Sequence, residues 1–77
     1  NGYRSKKERA EEERRKQLAK QIEREICELE KEEAEINARL AEPETASDYL
    51  KVQKLCERLE GIKLQLDTLY KSYETVL

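Results

Sequence analysis

Residues 52–76 read VQKLCERLEGIKLQLDTLYKSYETV. In this stretch Val52, Leu55, Leu59, Ile62, Leu66, Leu69, Tyr73 and Val76 recur at alternating spacings of three and four. Apolar residues spaced this way form the seam of a coiled coil. Upstream, Ala19, Ile22, Ile26, Leu29, Ile36 and Leu40 keep the same rhythm, broken only by Glu33. A short segment containing Pro43, from Glu42 to Ser47, separates the two seams. The two seams satisfy each other if the chain folds back. The expected fold class is therefore all-α, a two-helix antiparallel coiled-coil hairpin over residues 1–77, read as a monomer. Two helices sharing one thin seam leave little room for a catalytic pocket.

The bulk composition agrees. Seventy-seven residues make one small domain at most, 44% of them charged and 5% aromatic. Such a mixture suits either a disordered segment or a long solvated helix, and the sustained period selects the helix. Phe, Trp and Met are absent, so no thick core is available. Stability must come from about seven seam layers and from helix propensity. No run of eighteen apolar residues is present and no signal peptide is evident, so no contact with a membrane is expected.

The expected helix limits follow from local chemistry. Ser5-Lys6-Lys7-Glu8 has the form of a capping box, which starts helix 1 near residue 5. Residues 5 to 41 contain neither Gly nor Pro and are rich in strong helix formers. Pro43 ends this run, because a proline disfavours helical geometry before it and supplies no amide hydrogen. The loop is expected over 42–47. Helix 2 is expected over 48–77, capped by Thr45 in a second box or directly by Ser47 or Asp48.

The hairpin register has two candidates. Antiparallel layers have residue numbers of constant sum. A sum of about 95 pairs Leu40 with Leu55, Leu29 with Leu66 and Ile22 with Tyr73. A sum of about 88 pairs Ile36 with Val52 and Leu29 with Leu59, and sets Arg15 opposite Tyr73. Loop geometry favours the second.

Cys27 and Cys56 fall beside the seams on opposite helices and are expected to be free thiols. With no His and no third Cys, no metal site is expected. No phosphate loop and no nucleophile–base set is present, so the chain is expected to be non-enzymatic and to hold no cofactor of its own. Tyr70 and Leu77 at e positions and Leu64 at f lie outside the strict seam. They either widen the packing stripe or form a docking strip for a neighbouring domain.

Charge is distributed unevenly. Residues 1–20 carry eight Lys or Arg against four Glu, residues 21–44 carry three against nine, and residues 45–77 carry five of each sign. The rod is basic at the open end and acidic toward the hairpin tip. Lys6, Lys7, Arg9, Arg14, Arg15, Lys16 and Lys20 are the candidate nucleic-acid-binding residues, through phosphate contacts. The interspersed glutamates suit a mixed-charge solvated helix equally. Only Tyr3 accompanies the cations, so base stacking has no support.

Leu40-Ala41-Glu42-Pro43-Glu44, then Ser47-Asp48-Tyr49, Lys51-Val52 and the ending Leu69-Tyr70-Lys71-Ser72-Tyr73-Glu74 resemble the C-terminal coiled-coil domain of ABC-F ATPases. The resemblance covers roughly residues 22 to 77, and the hairpin and tyrosine ending carry most of it. Glu42 stands where that family commonly has Asp, and Glu33 interrupts the seam. The resemblance implies a fragment of a longer cytoplasmic protein with two ATP-binding cassettes that acts on ribosomes or, in some members, on DNA. ATP would then belong to the parent protein. The implied partners are RNA or DNA, the ribosome, and the cassettes of the same polypeptide. Other readings are a structural protein-interaction arm and the tRNA-contacting arm of a valyl-tRNA synthetase.

Overall fold

A computed structural model describes residues 5–77, so Tyr3 and Arg4 lie outside the described residues. Helix α1 runs Lys6–Leu40, a short helix α2 runs Pro43–Ala46, and α3 runs Tyr49–Val76. The two long helices pack along each other, which makes the chain an all-α hairpin. Its extents are 67 × 16 × 13 Å.

The helix ends follow the capping chemistry. Ser5 is the N-cap of α1, and its hydroxyl accepts from the Glu8 amide at 3.2 Å. At the other end the Ala41 amide donates to both the Asn37 and Ala38 carbonyls, and Glu42 donates to Arg39 at 3.1 Å. These shared short-range bonds tighten the last turn and stop the helix. Asp48 caps α3, its Oδ1 accepting from the Lys51 amide at 3.2 Å. Ser47 instead turns its hydroxyl back to the Glu44 carbonyl at 3.1 Å, and Thr45 is buried in the turn.

The tip departs from the expected loop. Pro43 does more than end α1: it occupies the first position of α2. Its fixed φ suits that position, and its missing amide hydrogen would have had no partner there. Glu42 before it is extended, at φ −76° and ψ 130°, as a residue preceding proline prefers. The extra turn puts more chain between the long helices than a plain loop would.

That extra turn bears on the register, where loop geometry had pointed the wrong way. The Tyr73 hydroxyl donates to Glu23, and the Tyr70 hydroxyl donates to Glu30 at 2.7 Å. The sum-88 register would set Tyr73 opposite Arg15, about 12 Å along the helix from Glu23. The sum-95 register sets Tyr73 against Ile22, next to Glu23. It also makes every layer but one apolar: Leu40 with Leu55, Ile36 with Leu59, Leu29 with Leu66, Ile26 with Leu69, Ile22 with Tyr73 and Ala19 with Val76. The buried core of Ile22, Ile26, Ile36, Ile62 and Leu66, with the half-buried leucines packed on it, is this set of layers.

The exceptional layer joins Glu33 to Ile62. Ile62 is fully buried, while Glu33 is half-buried and sits close enough to Tyr70 for its charge to be felt there. A carboxylate at a seam edge can keep its head toward water while its stem covers apolar surface. Flanking contacts complete the pairing. Arg58 donates two hydrogen bonds to Glu32, at 2.6 and 2.8 Å, joining g to g as antiparallel helices require. Cys27 and Cys56 are free and exposed.

Candidate nucleic-acid interface

All seven cations singled out in the sequence, Lys6, Lys7, Arg9, Arg14, Arg15, Lys16 and Lys20, lie on α1 and are exposed. In this register Leu18 falls opposite Leu77, so residues 6–17 project past the end of α3 by about 18 Å. The segment stays helical through its cap and its composition, with local bonds such as Gln17 to Glu13 at 3.4 Å. The Arg14 guanidinium is partly turned back, its Nε donating to the Ala10 carbonyl at 3.4 Å.

The seven do not share one face. At 3.6 residues per turn, Lys6, Arg9, Lys16 and Lys20 lie on the side of α1 away from the seam. Lys7 and Arg14 fall on a flank, and Arg15 continues the seam direction. Two further cations, Arg24 and Lys31, both exposed, stand on the same outward side as the first four. Net charge by segment hid them, because they sit in the acidic stretch.

The acidic side of the molecule is built differently. A shallow lateral groove of about 650 Å³ is lined by Glu25, Glu28 and Glu32 with Arg58, Leu64 and Leu69. The two hydrogen bonds from Arg58 hold the Glu32 carboxyl below its ordinary range, so it stays charged. The same pair raises the Arg58 guanidinium. Glu30 and Glu23 accept from Tyr70 and Tyr73 and hold both phenols neutral, raising them above their usual range. These carboxylates are committed to joining the helices. Among the described residues no group of three or more His, Cys, Asp or Glu is placed to hold a metal ion. No described helix is long and apolar enough to cross a membrane.

A family model described as the ABC transporter C-terminal domain matches residues 5–76. The chain belongs to that family. The match supports the resemblance to the C-terminal domain of ABC-F proteins drawn from the Pro43 hairpin and the Tyr70–Tyr73 ending, and it sets aside the valyl-tRNA synthetase arm. The match begins at residue 5, so the domain includes the projecting turns of α1 as well as the paired region. No curated protein and no solved structure matches the chain.

Proposed function

We propose that this C-terminal domain is a non-catalytic accessory element that helps a parent ABC-F ATPase engage nucleic acid, whether ribosomal RNA, tRNA or DNA, in the cytoplasm. ATP chemistry belongs to the cassettes of the parent, and the hairpin supplies reach and charge. The observation that carries this reading is the polarity of α1. Its first turns project beyond α3 and carry exposed cations, while three of the carboxylates farther along it, Glu23, Glu30 and Glu32, are engaged by Tyr73, Tyr70 and Arg58. A protein that neutralises phosphates with Lys and Arg releases counterions, so its affinity falls steeply with salt.

A second reading is a protein-docking arm. It is favoured by Tyr49 and Leu50, which are 78% and 68% exposed beside the acidic tip, and by Leu64, which is 72% exposed on the groove. Fluorescence anisotropy of a labelled duplex titrated with the chain at several salt concentrations separates the two. The nucleic-acid role predicts binding at low ionic strength that weakens steadily as salt rises. No salt-sensitive binding at low ionic strength would overturn it and leave the docking arm.

A further inference from the structure

We infer that the binding face is a single ridge on the outward side of α1, made by Lys6, Arg9, Lys16, Lys20, Arg24 and Lys31, and that it lies along the phosphate backbone of a nucleic-acid duplex. This rests on the nucleic-acid reading above and narrows it to one surface and one form of ligand.

The ridge follows from helical geometry. Positions 6, 9, 13, 16, 20, 24, 27 and 31 step by three or four residues and therefore stack in one row. Six of the eight are cations, one is Glu13 and one is Cys27, and all are exposed. The buried seam residues Ile22, Ile26 and Ile36 lie on the other side of the same helix. The row therefore faces solvent along both the projecting turns and the paired region. It is about 37 Å long, with rises of about 4.5–6 Å between steps.

The chemistry of the row identifies its ligand. A protein partner would be expected to bury an apolar or aromatic centre. The ridge offers no aromatic and no aliphatic side chain over these positions. The same lack argues against single strands, whose binding leans on base stacking against aromatic side chains. A row in which six of eight side chains are long cations, interrupted by Glu13 and Cys27, is matched by the ligand with the densest phosphate charge, and a duplex carries about one charge per 1.7 Å of axis. Groove insertion is opposed by the other sides of the projecting turns, where Glu8, Glu11 and Glu12 stand. Contact by one edge to the backbone keeps those carboxylates away from phosphate. Such contact carries no base-specific information.

The test compares two triple charge reversals of equal charge change. One is Lys20→Glu, Arg24→Glu and Lys31→Glu on the ridge. The other is Lys51→Glu, Lys54→Glu and Lys63→Glu on exposed positions of α3. Neither set touches a seam position, and circular dichroism of each checks that helicity is kept. With a labelled duplex of mixed sequence, the ridge variant should lose at least about tenfold in affinity, and its salt slope should fall by about three. The α3 variant should stay within about twofold of wild type. A second duplex of unrelated sequence should bind equally, and a single strand of equal length should bind more weakly. Equal losses in both triples would show that bulk charge, not the ridge, governs binding and would overturn the inference while leaving the nucleic-acid role standing. Tighter binding of the single strand would also overturn it. So would a ridge variant that changed sedimentation rather than duplex affinity, because that would assign the ridge to a second copy of the chain. Absence of binding by wild type would instead overturn the underlying function.

Discussion

The two parts of α1 are the same helix held by different forces. From Ala19 to Leu40 it buries Ile22, Ile26 and Ile36 against α3 and is tied by glutamates to Arg58, Tyr70 and Tyr73. From Lys6 to Leu18 it has no residue in the buried core and rests on the Ser5 cap, helix propensity and local side-chain bonds. Tertiary packing supplies most helical stability in proteins, since isolated short helices are marginal in water. The paired part should therefore melt with α3 as one unit, and the projecting part should open by itself. The outward ridge crosses this boundary, so its Lys6 and Arg9 end stands on a looser support than its Arg24 and Lys31 end.

The largest effect should come from breaking the paired part at its centre. Ile62 is fully buried opposite Glu33. Ile62→Asp would put a carboxylate into a fully buried position beside the half-buried Glu33, so the hairpin should lose most of its helicity by circular dichroism. Retained cooperative melting near the wild-type temperature would mean that the Glu33 layer is not at the centre of the seam. A milder pair of changes sharpens the contrast between regions. Ile26→Ala should cost about 2–5 kcal/mol of global stability through the cavity it leaves. Ala10→Gly in the projecting turns should cost about 1 kcal/mol of local helix and leave the denaturation midpoint of the hairpin almost unmoved.

Smaller still is a gain. A Cβ added at Gly61 would meet nothing within 4 Å, and the residue is helical without a positive φ. Gly61→Ala should raise stability by about 1 kcal/mol in chemical denaturation. The smallest effect concerns pH. Hydrogen bonds to Glu30 and Glu23 raise Tyr70 and Tyr73 above their ordinary value of 10.0. The folded chain then binds these protons more tightly than the unfolded one. Their contribution is complete below pH 10 and is lost as pH rises through the raised values. Glu32 has the opposite sign: lowered by Arg58, it contributes above its ordinary 4.5 and loses that contribution as pH falls through its folded value. Melting temperature should decline slightly at both extremes, and Tyr70→Phe with Tyr73→Phe should remove the alkaline decline alone.

Much of the fold was legible because the seam is periodic and the caps are local. Ser5 and Asp48 cap where their side chains and the neighbouring amides make it favourable, and Leu40 and Val76 close helices at the ends of their stripes. The register was harder. Both candidates pair most of the seam, though the second sets Arg15 opposite Tyr73, and loop geometry favoured that second one because propensity alone does not announce the helical turn at Pro43–Ala46. Thr45, polar in sequence yet buried in that turn, gave no sign of its place. The candidate site was half legible. Measured against the proposed ridge, segment charge picks out Lys6, Arg9, Lys16 and Lys20 together with Lys7, Arg14 and Arg15 on other faces, and does not pick out Arg24 and Lys31.

Amide hydrogen exchange resolved along α1 tests the division of this helix most directly. Residues 19–40 should be protected to the same degree as α3, exchanging through global unfolding, whereas residues 6–18 should exchange far faster, as a helix without packing does. Uniform protection from Lys6 to Leu40 would contradict the account, since it would show that the projecting turns are held by packing as firmly as the seam.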